Sequence, residues 1–191
     1  MTLNLAGQAY ALTVVCPIIP RHEDRLRQHL AQLNRGEGSP LASLSATHFA
    51  RWIVFEPPAH AAPAEPGSQR VSQLLFDSCL DGDRDEYLEA MRTGMSADVD
   101  AVWQHCVGYP GSSDAREFAA YFFRHQVDAS LFLAAYPAAT VQDVRASLEL
   151  RQRLIDFAVA TQGFAAPALL AAYRAAFPDS AVTGPTATPG S

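Results

Sequence analysis

From Tyr10 to Ile18, the residues Tyr10, Leu12, Val14, Cys16 and Ile18 alternate with Ala11, Thr13 and Val15. This period of two predicts a strand with one strongly apolar face, ended by Pro20. Leu26, Leu30 and Leu33 then recur at helical spacing among charged residues, so Arg21 to Leu33 is expected to be a helix, with Gly36 and Gly38 as stop signals. A second strand is expected over His48 to Phe55, with His48, Ala50, Trp52 and Val54 on one face and Phe49, Arg51, Ile53 and Phe55 on the other. The Pro- and Ala-rich stretch from Pro57 to Arg70 has little to bury and reads as a mobile loop. Val71 to Leu80 reads as a third strand, antiparallel to the second.

Asp83 followed by Glu86 is a capping-box arrangement, with Tyr87, Leu88, Met91 and Met95 as the apolar stripe of the helix behind it. Val99, Val102, Trp103 and Cys106 predict a further helix opened by Ser96 and stopped by Gly108 and Pro110. Asp114 and Glu117 cap another, whose inner face is Phe118, Tyr121, Phe122 and His125. Ser130 to Tyr136 reads as a fourth strand, Thr140 to Ala160 as a long helix, and the segment from Pro167 to Phe177 as a last one. The order of elements matches an α+β fold of ferredoxin-like βαββαβ type, an antiparallel sheet ordered 4-1-3-2, with inserted and C-terminal helices. Residues 1–177 are expected to form one domain and residues 178–191 a disordered, low-complexity tail.

Composition narrows the chemistry. The 191 residues are 49% apolar and 18% charged, as in an ordinary globular domain. All fourteen basic residues are Arg. Without Lys, neither a Schiff base nor a Walker-type phosphate loop can be built. A net charge of −6 argues against a nucleic-acid footprint. No apolar run approaches the roughly 20 residues of a membrane helix, and the first residues lack the basic and apolar regions of an export signal. The expected location is cytoplasmic, with Cys16, Cys79 and Cys106 reduced.

Topology sets the candidate chemistry. The start of the second strand lies beside the end of the third, so His48, Asp77, Ser78, Cys79 and Asp81 are expected at one edge of the sheet. Arg51 and Asp77 fall on the same face, as a cross-strand ion pair or as an Arg available to a ligand carboxylate. His125 shares the aromatic face of its helix, as a ligand-contacting group or a hydrogen-bonded core residue. No metal site is expected: no Cys-x-x-Cys occurs, and His22 and His29, seven residues apart on one helix, are about 10 Å apart. A cysteine nucleophile would need a His neighbour, and Cys79 with His48 is the one pairing the topology allows.

Three segments, THFARWIVFE, LLFDSCLDG and FLAAYPAATVQDVR, together with the element order, resemble the dimeric α+β barrel group, which includes chlorite-dismutase-like proteins and dye-decolourising peroxidases. Ser78 to Gly82, SCLDG, is similar to the GxxDG of those peroxidases, with Ser78 in place of the first Gly. The resemblance implies a homodimer, a haem-sized pocket on the sheet and a peroxide-assisting role for Asp81. Two readings follow. One is a binder of an apolar or carboxylate-bearing small molecule, haem included, through His125, His48, Arg51 and Asp77, with peroxidase-like activity. The other is a non-catalytic self-association or protein-interaction module.

Overall fold

The computed structural model describes residues 3–33, 38–56 and 71–178, which form a mixed α+β structure. Among the described residues there are five strands in one antiparallel sheet and six α-helices. They fall into two compact units, one ending at Asp143 and the other beginning at Val144. The stretch from Pro57 to Arg70, expected to be a mobile loop, and residues 179–191 of the tail expected to be disordered from residue 178 lie outside the described residues.

The sheet is built on three nine-residue strands, β2 (Ala9–Pro17), β3 (Thr47–Phe55) and β4 (Gln73–Asp81). β4 lies between β2 and β3, antiparallel to both. The pairing of the second and third expected strands is thus present. β1 (Leu5–Ala6) makes a short hairpin with β2, and β5 (Gln126–Val127) pairs with β2 at Thr13 and Val14.

The expected strand Ser130 to Tyr136 does not form, and its large side chains Leu131, Leu133 and Tyr136 are exposed. The outer edge of β2 has no room for it. Ala9 and Tyr10 are paired with β1, the Ala11 amide donates to the Asn4 carbonyl, and Thr13 and Val14 are paired with β5. The segment crosses the end of the sheet as an irregular strap. The Ala129 amide donates to Asn4 Oδ1 at 2.6 Å and the Gln8 amide to the Pro137 carbonyl at 2.7 Å. Gly7, at φ 66°, lies so close to Pro137 that a Cβ there would clash with its backbone.

Four helices cover one face of the sheet: α1 (Glu23–Gln32), α2 (Arg84–Gly94), α3 (Ser96–Trp103) and α4 (Ala115–His125). Asp83 caps α2 by accepting from the Asp85 and Glu86 amides, and Asp114 caps α4 by accepting from the Glu117 amide at 2.9 Å. Each cap is worth about 1 kcal/mol. Leu12, Val14, Cys16, Leu74, Phe76 and Leu80 of the sheet are buried against Leu26, Met91, Val102, Trp103, Phe118 and Phe122 of the helices. Trp103 is the hub, its ring centroid 5.9 Å from Trp52, 5.4 Å from Phe76 and 5.0 Å from Phe122.

The second unit pairs most of α5 (Val141–Ala160) with α6 (Ala166–Ala176). Gly163, at φ 82°, sits in the turn between them. Phe157, Tyr173 and Phe177 stack at 5.1–5.8 Å, and Arg153 lies over the Phe177 ring while donating to the Ala176 carbonyl. Among the described residues no helix is long and apolar enough to cross a membrane.

Candidate functional site

Two clusters arise from β3 and β4, one at the end of the sheet and one on the face away from α1 to α4. Thr47 opposes Leu80 and Phe49 opposes Cys79, so His48 is the extra residue of a β-bulge. A bulge re-aims a side chain and increases the local twist. Here it brings His48 Nε2 to within 2.7 Å of Asp81 Oδ1. The other carboxylate oxygen, Oδ2, accepts from the Val141 amide at 2.6 Å. Asp81 therefore sits at the positive end of α5 with both oxygens engaged, the favourable place for an anion. Gly82, at φ 82°, turns the chain away immediately afterwards.

On the covered side of the same strand ends, the Tyr87 hydroxyl lies 3.0 Å from Thr47 Oγ1 and 2.9 Å from Ser78 Oγ. This chain of three hydroxyls satisfies polar groups that would otherwise be buried without partners. Burial pushes the Tyr87 phenol above its ordinary range, and the bonds from Ser78 and Thr47 oppose that shift.

The face without helices α1 to α4 is ordered in rows across the strands. Phe49, Cys79 and Ala11 make one row; Arg51, Asp77 and Thr13 the next; Ile53, Leu75 and Val15 the third. In the middle row Arg51 Nε donates to Asp77 Oδ2 at 3.2 Å, and the Thr13 hydroxyl donates to Asp77 Oδ1 at 3.0 Å. The ion pair is a surface one, its side chains 66% and 35% exposed, so it contributes about 0.2–1 kcal/mol. The flanking rows end on bare aromatic and aliphatic groups, Phe49 being 80% exposed and Ile53 40%, and Phe55, one row beyond Ile53, is 37% exposed.

Cys79 lies on this face between two carboxylates in sequence. Its thiol is pushed above its ordinary value by burial and then by the charges of Asp81 and Asp77. A nucleophilic cysteine needs the opposite surroundings. Cys16 and Cys106 are buried, and all three cysteines are free thiols.

His125 stands apart from both clusters, at the end of α4. It is half-buried, its ring 4.3 Å from that of Tyr121, and its Nδ1 lies 2.8 Å from the Tyr121 carbonyl. That bond leaves Nε2 as the nitrogen able to meet a ligand. The five residues singled out from the sequence thus separate into His48 with Asp81, Arg51 with Asp77, and His125 alone. A cleft lined by Arg27, Leu30, Leu41, Trp52 and Val54 lies between α1 and β3.

Sequence reasoning did not anticipate the Tyr87 hydroxyl bridge or the anchoring of Val141 by Asp81. Neither has a local signal, because each joins residues whose approach depends on the final packing. Among the described residues no group of three or more His, Cys, Asp or Glu side chains converges to hold a metal ion. In comparison with known proteins, no family model, no curated protein and no solved structure matches this chain.

Proposed function

We propose that the protein is a self-association module of ferredoxin-like build whose sheet face opposite α1 to α4 packs against a second copy of the same chain. The observation that carries this reading is the set of three rows on that face, with exposed Phe49 and Ile53 flanking the Arg51–Asp77 pair and Phe55 one row beyond. Large apolar groups left exposed together on one face mark association surfaces. A second copy is favoured over an unrelated partner because the middle row holds one cation and one anion. A two-fold axis can bring the Arg51 of each copy toward the Asp77 of the other, making the patch self-complementary.

The reading is tested by sedimentation of the full chain and of a Phe49→Asp, Ile53→Asp double variant. Both side chains point away from the core, so the variant should keep its fold. The wild type is expected at twice the 20.6 kDa chain mass and the variant at that mass. A wild type that sediments as one chain at all concentrations would refute it.

A second reading has one observation in its favour: the Arg51 guanidinium is exposed in the middle of an apolar surface, as recognition of a carboxylate-bearing apolar ligand such as haem requires. Peroxidase-like chemistry would then fall to Asp81, with His48, Asp77 or His125 in contact with the ligand. Titration with haemin tests it directly: a saturable Soret shift that Arg51→Ala abolishes supports a ligand site, and an unchanged haemin spectrum removes it.

A further inference from the structure

Away from both clusters, His22 and His105 meet where the start of α1 faces the turn after α3. Their Nδ1 atoms are 3.1 Å apart and their rings are crossed at 73°. One residue fixes both backbones: the His22 amide donates to the Ile19 carbonyl at 3.0 Å, and the Ile19 amide donates to the His105 carbonyl at 2.8 Å. The two imidazoles are brought together by main-chain bonds, and both rings are half-buried.

We propose that His22 and His105 form a two-imidazole site for a divalent transition-metal ion, Cu(II) or Ni(II), with water in the remaining positions. Two nitrogens bound to one ion at about 2.0–2.1 Å stand roughly 2.9–3.4 Å apart for angles between about 90° and 110°. The observed 3.1 Å lies in the lower half of that span, nearer the right angle of tetragonal or octahedral ions than a tetrahedral one.

As a hydrogen bond, the contact needs one ring protonated on Nδ1 and the other on Nε2. An ion takes both Nδ1 lone pairs once the first ring moves its proton to Nε2, so the neutral pair binds with no net change in protons. The basic side chains of Arg25 and His29 lie near the pair. These basic neighbours disfavour hard cations held by charge alone, leaving ions bonded through nitrogen lone pairs.

The test is calorimetric titration of the full chain with NiCl2 or CuSO4 in a non-chelating buffer, on the wild type and on His22→Ala and His105→Ala. One ion per chain is expected, with affinity falling at least about tenfold in either variant. Should a variant fail to fold by circular dichroism, the electron paramagnetic resonance spectrum of the Cu(II)-loaded wild type decides, with nitrogen splitting from two imidazoles expected. No saturable uptake, uptake undiminished in folded variants, or a copper spectrum without two nitrogen ligands would overturn the proposal.

Discussion

Replacing Asp81 by Ala tests whether the bulge cluster holds the end of the sheet together. The carboxylate is 15% exposed and makes two short bonds, to His48 at 2.7 Å and to the Val141 amide at 2.6 Å. Hydrogen bonds to a charged group contribute about 1.5–3 kcal/mol each, and an anion at a helix start adds about 0.3–1 kcal/mol. Allowing for residual solvent contact, Asp81→Ala should cost about 3–5 kcal/mol. Asp81→Asn keeps an acceptor for the Val141 amide and should cost about 1–2 kcal/mol. Asp77→Ala, which breaks the exposed pair with Arg51 and the hydrogen bond from the Thr13 hydroxyl, should cost at most about 2 kcal/mol. Urea unfolding followed by tryptophan fluorescence reads all three, because Trp52 and Trp103 both belong to the core of this unit. A double-mutant cycle with His48→Ala should return a coupling of about 1 kcal/mol or more. Equal, small losses for Asp81→Ala and Asp77→Ala would refute the reasoning.

Tyr87→Phe removes the hydroxyl bridging Thr47 and Ser78 and should lower stability by about 1–3 kcal/mol in the same melts. Trp103→Ala should cost about 3–5 kcal/mol, since the ring is fully buried among three aromatic neighbours. The raised Cys79 thiol should be alkylated by iodoacetamide more slowly at pH 8 than a free cysteine, because less of it is thiolate there. Its rate should still be rising above pH 9, and Asp77→Asn should speed it, as followed by mass spectrometry.

The three long strands were legible because their alternation was strong: Leu12, Val14 and Cys16 on β2, and Leu74, Phe76 and Leu80 on β4, are buried as the period of two implies. Caps at Asp83 and Asp114 were legible because the carboxylate and the amides it accepts from lie within three residues. The failure at Ser130 to Tyr136 has the converse cause. Its short continuous apolar run from Leu131 to Tyr136 reads as a buried strand, but a strand also needs a free edge, and on β2 that edge is occupied by β1 and β5. These two-residue pairings carry no periodicity to read. The candidate site was legible in the same measure. Arg51 and Asp77 were placed on one face by the alternation of the two strands, whereas the bulge at His48 shifts the register by one residue and no turn residue announces it.

The central claim is that a second chain covers the sheet face opposite α1 to α4. It is tested most directly by hydroxyl-radical footprinting of the wild type over a range of protein concentrations, with Phe49 as the reporter and Phe123, exposed on α4, as the internal reference. Oxidation of Phe49 relative to Phe123 should fall as concentration rises and association proceeds. A ratio that stays constant across the whole range would contradict it.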